Sequence, residues 1–434
     1  EHFMPESFQA AGYQTAMVGK WHLGHSQETF HPNSRGFDDF YGHMHTEVGY
    51  FPPFANQGGV DFQRNGVTIT DEGYETFLLA DEASRWIENR DTEKPFFLYM
   101  PFIAPHTPLE APEDLVKKYS DLEDLRVPTR SASADRIRSL SSTPSARPIY
   151  AAVVDALDQA IGQVLATLES EGIDEETIIL FSSDNGGATY GGGGGDNFPL
   201  RGGKGETYEG GIKVIAALRW KGKIAPQTNF SSIMTMMDVF PTLAGAVNIP
   251  MMNTKKLWGR DLWSAIDNSK NIPLTQEVFF ASETPNYGQF HTTVFNEKWK
   301  LVQVISSSLM EVNVNNQLFD IRNDPNEYKN LAAEYPKLVE LMADKIRKWR
   351  ALHPISGIRA QLVPPPGWRA PKDWTSYTIP LDELQDDASL GFGAHAHQIL
   401  DYLIKDHGRI IYDCKPGDWE RGKCKAPEQS QTHQ

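Results

Sequence analysis

The sequence has little cysteine, and the cysteines that it has are badly placed for a metal site. Only Cys414 and Cys424 occur among the 434 residues, close together in a tail rich in Pro, Gly and Lys. A zinc site would need further ligands nearby, so we interpret the pair as a local disulfide, which would imply an oxidising compartment. The sequon Asn229-Phe230-Ser231 predicts glycosylation at Asn229 and points to the same compartment.

Basic residues are also in deficit, which excludes nucleic acid as a partner. Lys and Arg number 41 against 57 Asp and Glu, and the net charge is −16. Binding to a nucleic-acid backbone needs a basic face. An acidic protein still binds an anion wherever a few cations converge in one pocket, so the net charge leaves small anionic substrates open.

Long apolar runs are lacking as well. A membrane-spanning helix needs roughly 18 consecutive apolar residues, and the longest apolar stretches here, such as 95–106, have the length of strands. We therefore expect no membrane span. A composition of 40% hydrophobic and 23% charged residues is typical of a soluble globular protein.

What is present is an alternation of strand and helix patterns, which predicts an α/β fold with a large, mostly parallel sheet flanked by helices. Helices are predicted where apolar residues recur with helical spacing, and two short helices are predicted around Met236, the second begun by Asp238. The predicted buried strands are 15–19, 95–106, 177–183 and 212–220, and the other predicted helices of this part are 5–13, 75–89 and 150–171.

The last third of the chain changes to a pattern of antiparallel strands. These strands are predicted at 277–283, 291–296, 298–304 and 317–321, and a helix follows at 336–352. We place a domain boundary near 265–275. It divides the chain into a first domain, 1–270, and a smaller C-terminal α+β domain, 271–434, built on an antiparallel sheet with a tail rich in Pro and Trp.

Two polar pairs stand where ligands bind in such folds. If their segment is extended, Lys20 and His22 point to the same side and present an ammonium and an imidazole to one ligand. The plain alternative is a solvated surface pair. Asp184 and Asn185 follow a predicted strand, at the end where open α/β sheets bind ligands, and they offer hard oxygen ligands for Ca²⁺ or Mg²⁺. Their plain alternative is a turn with an Asx cap.

Two further basic side chains lie in loops near predicted strand ends. His106 stands in Ala-Pro-His-Thr-Pro just past a buried strand, and Lys204 stands in the glycine-rich run PLRGGKGETYEGG. A lone loop histidine is more often structural or exposed than catalytic, and the glycine-rich run by itself reads as a flexible basic loop. Each signal is weak alone, and their order along the chain is what makes them specific.

In that order the motifs resemble the sulfatase family of the alkaline-phosphatase superfamily, with the closest likeness to the arylsulfatase B (N-acetylgalactosamine 4-sulfatase) type. The resemblance runs over nearly the whole chain. The blocks that carry it are AGYQTAMVGKWHLG, RGFDDFYG, FLYMPFIAPHTPL, LDQAIGQVLATLESEGI, TIILFSSDNGG, FPLRGGKGETYEGGIKV and DVFPTLAGAVNIP.

The resemblance implies a sulfuric ester hydrolase that cleaves a sulfated sugar or aryl sulfate with one Ca²⁺ ion, in the secretory pathway, extracellular or lysosomal. Lys20 would bind a sulfate oxygen and His22 would be the base that releases sulfate. His106 and Lys204 would stabilise or protonate the leaving alcohol. Asp184 and Asn185 would be two of the calcium ligands, and Arg201, although nearby, receives no role.

The family's nucleophile, a formylglycine made in a Cys-x-Pro-Ser-Arg motif, is absent from the 434 residues, and so is the Asp-Asp pair that completes the calcium site. The segment 142–147 resembles the motif, but an extra Ala146 displaces its arginine, so we reject it. We expect an upstream segment to supply the nucleophile, on this chain or as a separate fragment, and this chain alone to be inactive. The alternatives are a non-catalytic sulfatase-like binding or structural protein and, more distantly, a zinc phosphodiesterase.

Overall fold

The computed structural model describes residues 2–24, 28–45, 48–52, 54–56, 59–122, 130, 146–189, 194–251, 257–268, 270–284, 289–307 and 312–352. The predicted disulfide between Cys414 and Cys424, the tail that contains it and most of the segment 142–147 lie outside these ranges.

Strands and helices alternate through the first half of the described chain, as the sequence predicts. The strands are β1 (Gln14–Lys20), β2 (Asp39–His43), β3 (Ala55–Asn56), β4 (Gly59–Val60), β5 (Gln63–Arg64), β6 (Val67–Thr68), β7 (Phe96–Tyr99), β8 (Ile179–Ser182), β9 (Ala216–Arg219), β10 (Val278–Thr284), β11 (Gln289–Phe295), β12 (Trp299–Ser307) and β13 (Val312–Asp320). The helices are α1 (Met4–Ala10), α2 (Glu75–Glu88), α3 (Glu113–Lys118), α4 (Arg147–Ser170), α5 (Glu209–Ile212), α6 (Met236–Ala246), α7 (Trp263–Asp267) and α8 (Pro336–Arg350), with short 3-10 turns at Glu28–Phe30 and Pro32–Arg35.

The strand β1 is an interior strand of the first sheet. Among the described residues this sheet has the order β6-β5-β2-β1-β7, and β1 is parallel to both of its neighbours. Residues 15–19 of β1 are all buried, which is typical of a parallel strand covered on both faces. Met17 packs with Trp21 and Phe40 on one face, whereas Val18 packs with Leu79 on the other. The predicted α/β class is confirmed.

Helices cover both faces of this sheet. On one face α2 and α4 pack together through apolar residues that include Ile87 and Leu168, and the Thr167 hydroxyl donates to Ser84 Oγ at 2.9 Å. On the other face α1 and α6 meet Phe97. Among the described helices, α4 is long and apolar enough to cross a membrane by length and composition. One side of this helix packs against α2.

The second sheet is antiparallel throughout, in the order β10-β11-β12-β13. The helix α8 covers one face, where Met342 and Ile346 pack on Val294, Leu301 and Leu318. The predicted antiparallel pattern of this region is therefore confirmed, while the domain boundary near 265–275 stays a prediction.

Three local expectations are corrected. The apolar run 95–106 forms a strand only at β7, because its prolines lack the N–H donors that a sheet needs. Past the end of β7, the carbonyl of Pro101 still accepts a hydrogen bond from Lys20 N–H at 2.8 Å. The predicted strand 177–183 shortens to β8, which is not buried on both faces, since Phe181 is 41% exposed. The two helices predicted around Met236 are one, α6, because Asp238 caps the backbone N–H of Thr235 at 2.8 Å from the third helical position.

A buried ion-pair cluster joins the second sheet to the first part of the chain. The ammonium of Lys300 on β12 is fully buried and lies 2.7 Å from Glu209 Oε1 on α5 and 2.9 Å from Glu327 Oε1. Glu327 in turn accepts the backbone N–H of Glu209 at 2.9 Å. Burial raises the pKa of Glu327, and the charge of Lys300 partly offsets that rise. The cluster fixes the start of α5.

We predict that Lys300→Met lowers the free energy of unfolding by ~3–5 kcal/mol, because it leaves the buried carboxylate of Glu327 and the partly buried carboxylate of Glu209 without their cation. The control is Lys298→Met, whose half-exposed ammonium lies 4.0 Å from Asp320 and whose loss costs less than about 1 kcal/mol. Urea denaturation of both variants measures the difference. Equal stability of the two variants would contradict the structural role of the cluster.

Candidate active site

The predicted site residues lie near the carboxyl ends of strands from one part of the fold. Lys20 is the last residue of β1, His106 lies in the loop after β7, and Asp184 follows β8. The strands β1 and β7 are parallel, so their carboxyl ends share one edge. The charge of Asp184 contributes, after burial, to raising the pKa of Tyr99 at the end of β7. The end of β8 therefore lies close to the same edge.

His22 is the point on which the basic side chains converge. Its pKa is lowered to about 4, first by partial burial and then by positive charge on its neighbours. Those neighbours are Lys20, His45, His106 and Lys204. The structure thus brings the four predicted basic residues together, and it adds His45, which the sequence analysis missed.

The geometry of the Lys20–His22 pair differs from the expectation. The strand ends at Lys20, and His22 adopts a left-handed backbone with φ of 55°. The backbone N–H of His22 donates to Met44 O at 3.1 Å, and that of Trp21 donates to His43 O at 2.9 Å. The two side chains are therefore close because the chain turns, not because the segment is extended. Such a backbone conformation costs about 1 kcal/mol or more and is common in active sites.

His106 is held by its own loop. Its backbone carbonyl accepts the Tyr50 hydroxyl at 2.9 Å, and its Nδ1 lies 2.7 Å from Thr107 O. A carbonyl oxygen only accepts, so Nδ1 carries the hydrogen and Nε2 is the acceptor atom of the neutral ring. The ring orientation is thereby fixed before any ligand binds.

The glycine-rich run 199–211, here called the Lys204 loop, is hydrogen-bonded to the Asp184–Gly187 turn through the backbone of several glycines. Gly186 N–H donates to Gly211 O at 3.0 Å, and Lys204 N–H donates to Gly187 O at 3.1 Å. Asn197 closes the same corner, accepting Gly187 N–H at 2.8 Å and donating to Gly187 O at 2.9 Å. A side chain at Gly186 would overlap Gly210 O, because its Cβ would lie 1.8 Å away. The alternative of a flexible basic loop is therefore wrong.

A buried pair that the sequence analysis also missed lies beneath this pocket. His43 pairs in register with Lys20, and its Nε2 lies 3.6 Å from Glu75 Oε1, both side chains being fully buried. Burial lowers the pKa of His43 to about 3 and raises that of Glu75 to about 8. At neutral pH the pair is therefore an uncharged imidazole facing a protonated carboxyl. Only tertiary packing brings these two residues together, so no sequence motif marks them.

Two other predicted or neighbouring residues lie apart from this chemistry. Asn229 is exposed outside helices and strands, and its glycosylation stays a prediction. The guanidinium of Arg201 lies 4.2 Å from the centroid of the Tyr208 ring and 5.6 Å from that of Phe319. Arg201 therefore ties the Lys204 loop to β13 by cation–π packing.

Comparison with known proteins decides the family. A family profile described as Sulfatase matches residues 1–249, more than half of the chain. The chain belongs to the sulfatase family.

Relatives of this sulfatase occur in bacteria and mammals. It is 29% identical over 407 residues to the uncharacterized sulfatase YdeN of Escherichia coli, an alignment that covers 80% of this chain and 66% of YdeN. It is 27% identical to mouse arylsulfatase J, over 80% of this chain and 61% of that protein. Mouse N-acetylgalactosamine-6-sulfatase is 29% identical over 60% of this chain and 48% of its own length. The sulfatase thus spans about half to two thirds of these relatives, and its likeness to the arylsulfatase B type stays a prediction.

Solved sulfatase structures share the fold. The structure of Ps i-CgsB in complex with k-i-k-neocarrahexaose superposes with a TM-score of 0.66 at 26% identity, covering 80% of this chain and 73% of that one. The PsFucS1 sulfatase from Pseudoalteromonas superposes with a TM-score of 0.60 at 22% identity, over 81% and 73% of the two chains. The second comparison supports the fold alone.

The Asp184–Asn185 turn presents two oxygen donors just past the end of β8. Asp184 is exposed, and its Oδ1 accepts the Asn185 N–H at 2.9 Å, which is the Asx turn of the plain alternative. The turn nevertheless presents a carboxylate and an amide at the strand end. Calcium takes six to eight oxygen ligands, and within the described ranges no three His, Cys, Asp or Glu residues are grouped to hold a metal. The two residues fit a calcium site that other groups must complete.

We predict that Gly186→Ala displaces the Lys204 loop and lowers the free energy of unfolding by about 1–3 kcal/mol, because the new methyl group has no space. The control is Gly162→Ala within α4, where nothing lies within 4 Å of the added Cβ. That change is expected to stabilise by about 0.5–1 kcal/mol, since alanine favours a helix. Thermal denaturation compares them, and a neutral Gly186→Ala would contradict the close backbone contact.

The buried Glu75 predicts a pH dependence of stability. Because its folded pKa is about 8 against an ordinary 4.5, the folded state binds the proton more tightly, and the stability that this group contributes is lost as pH rises from 4.5 to 8. Replacing Glu75 by Gln removes that loss, so the variant gains stability relative to the native protein as pH rises through this window. Melting temperatures across the window measure the difference. Glu88→Gln, exposed on the same helix, should show no such trend, and a parallel trend for both would refute the assignment.

Proposed function

We propose that the complete protein hydrolyses sulfate esters of a sugar through a formylglycine nucleophile with one calcium ion. The observation that carries the proposal is the convergence of Lys20, His106 and Lys204 on His22. An acidic protein that gathers its cations at one strand edge has built a pocket for an anion. The family adds the expectation that the anion is a sulfate ester.

The residues present suit the steps of sulfate-ester cleavage. Cleavage develops negative charge on the bridging oxygen and around the sulfuryl group, so preorganised cations lower the barrier. Lys20 would hold a sulfate oxygen. His106 and Lys204 would stabilise the bridging oxygen, and the Lys204 ammonium or a protonated His106 would supply the proton that the leaving alcohol takes up. His22, with a pKa of about 4, is neutral at physiological pH, which suits a proton acceptor.

Calcium would be held in part by Asp184 and Asn185. When bound, the ion would withdraw negative charge from the sulfuryl oxygens and from the nucleophile. A carboxylate and an amide, with no histidine between them, are donors for a hard cation rather than for zinc. This donor set is why we prefer a sulfatase to a zinc phosphodiesterase.

We further propose that the nucleophile comes on a strand from outside the 434 residues, which inserts between β7 and β8. Within the described residues β7 pairs only with β1, and β8 only with β9. Two aromatic rings are exposed on these strands, Tyr99 at 44% and Phe181 at 41%. A strand in this position would pair with a free edge and cover those rings. It would also bring its carboxyl end to the calcium ligands.

The names of relatives and of a solved neighbour support the substrate class that we propose. One is named for N-acetylgalactosamine 6-sulfate, and a solved neighbour holds an oligosaccharide. We propose a sulfated carbohydrate, with aryl sulfates as artificial substrates, and a location in the secretory pathway, extracellular or lysosomal. The competing function, a non-catalytic sulfatase-like binding protein, is favoured by one observation, the lack of a Cys-x-Pro-Ser-Arg motif in this sequence.

The decisive assay uses protein made from its full reading frame, with 4-nitrophenyl sulfate and sulfated galactosamine as substrates. We expect turnover that EDTA abolishes and Ca²⁺ restores, and no turnover by the 434-residue chain alone. Lys204→Ala should reduce kcat/KM roughly a hundredfold or more, because it removes a charge-stabilising donor.

The control for Lys204→Ala is Lys223→Ala, an exposed lysine that follows β9 and lies 5.9 Å from the centroid of the Trp220 ring, which should leave kcat/KM unchanged. Calcium-dependent ligand binding without turnover by the complete protein would establish the binding function instead. Tightly bound zinc together with phosphodiester cleavage would establish the phosphodiesterase.

A further inference from the structure

The segment that follows β2 carries a second imidazole to the edge of the pocket. The chain runs beside Lys20–His22, since Trp21 N–H and His22 N–H donate to His43 O and Met44 O. The next residue, His45, is half-buried. Its ring centroid lies 6.4 Å from that of His22, with the two planes tilted by 42°.

His45 is held in place by a buried carboxylate. Asp61, only 3% exposed, accepts the backbone N–H of Met44 through Oδ1 at 2.9 Å and that of His45 through Oδ2 at 2.8 Å. The carbonyl of His45 accepts from Nδ1 of the fully buried His43 at 2.9 Å. Both polar groups of the His45 backbone are therefore fixed by buried side chains, which is how binding residues are kept in a productive position.

The separation of the two rings is informative. At 6.4 Å between centroids the nearest ring nitrogens are roughly 4 Å apart or more, beyond the 2.7–3.2 Å of a direct hydrogen bond. One oxygen atom fits between two nitrogens at such a spacing and can bond to both. The charge of His45 also reaches His22, as do those of Lys20, His106 and Lys204.

The position of His45 within the sheet order separates it from the other basic groups. His45 belongs to the β2 side of β1, whereas His106 follows β7 on the opposite side. The imidazole of His22 lies between these two sides. A substrate bound at His22 is thus flanked by the predicted leaving-group residues on one side and by His45 on the other.

We propose that His45 is a substrate-binding residue, whose imidazole shares one oxygen of the sulfate ester with His22. This inference rests on the proposed function and extends it to a residue that the family motifs do not mark in this sequence. The oxygen belongs either to the sulfuryl group or to a hydroxyl of the sugar. Both present the same chemistry to an imidazole, and two substrates distinguish them.

The test measures kinetics of the complete protein carrying His45→Ala, with 4-nitrophenyl sulfate and with sulfated galactosamine. A hydrogen bond to a charged partner gives an expected rise in KM of about tenfold, with kcat nearly unchanged. A rise with both substrates assigns the sulfuryl oxygen, and a rise with the sugar alone assigns a hydroxyl. His45→Gln, which keeps a hydrogen-bonding group, should recover part of the loss.

The matched control is His2→Ala, another half-buried histidine, whose Nδ1 lies 3.7 Å from Glu6 Oε2 in α1. It should leave KM unchanged for both substrates. An unchanged KM for His45→Ala, or a fall in kcat and melting temperature without a change in KM, overturns the assignment, since a purely structural role would act in that way.

Failure of the proposed function is separable from failure of this inference. If the native protein turns over neither substrate, the proposed function fails, and calorimetric titration with sulfated galactosamine then decides the role of His45. Binding about tenfold weaker for His45→Ala than for His2→Ala supports the assignment. Equal binding by the two variants, or no binding by the native protein, overturns it.

Discussion

The candidate pocket depends on a close contact between the backbones of the Asp184–Gly187 turn and the Lys204 loop, which the Asn197 side chain also bridges. The hydrogen bonds from Gly186 to Gly211 and from Lys204 to Gly187 hold a cation beside the oxygen donors at the end of β8. A Cβ atom at Gly186 or Gly211 would overlap nearby backbone atoms, which explains why glycine occupies these positions in SDNGG and TYEGG. The Lys300–Glu327–Glu209 cluster and the packing of Arg201 on Phe319 of β13 hold the same loop against the second sheet. The antiparallel sheet thereby takes part in positioning Lys204.

The pocket gathers basic side chains in a protein whose net charge is −16. The pKa of about 4 at His22 reflects its partial burial first and then repulsion from the neighbouring basic groups. The stability of the fold offsets the repulsion between these groups, and a bound anion would remove that repulsion. A site of this kind is preorganised for charge that develops in a transition state. Beneath it, the buried His43–Glu75 pair stays uncharged at neutral pH, so it supports the pocket without adding to the repulsion.

Sequence patterns predicted the elements that local physics determines. The continuously apolar β1 and the helical spacing of α2 and α4 lie close to their expected positions. The order of motifs pointed to residues that do converge. The wrong predictions concerned features that depend on tertiary structure. These are the left-handed backbone at His22, the capping of α6 by Asp238, and the exposed face of β8. His45 and the His43–Glu75 pair were missed because no spacing links residues that meet only when β2, α2 and β1 pack together. Two histidines in the run Gly-His-Met-His, just past a strand, were the one available signal.

The most direct test of the central claim is a crystal structure of the complete protein grown with Ca²⁺ and soaked with inorganic sulfate. The account predicts one sulfate within hydrogen-bond distance of Lys20, His22, His106 and Lys204, and one calcium ion bound by Asp184 and Asn185 at the same strand edge. A sulfate bound elsewhere, or a Lys204 ammonium directed away from His22 with no cation at Asp184, would contradict it.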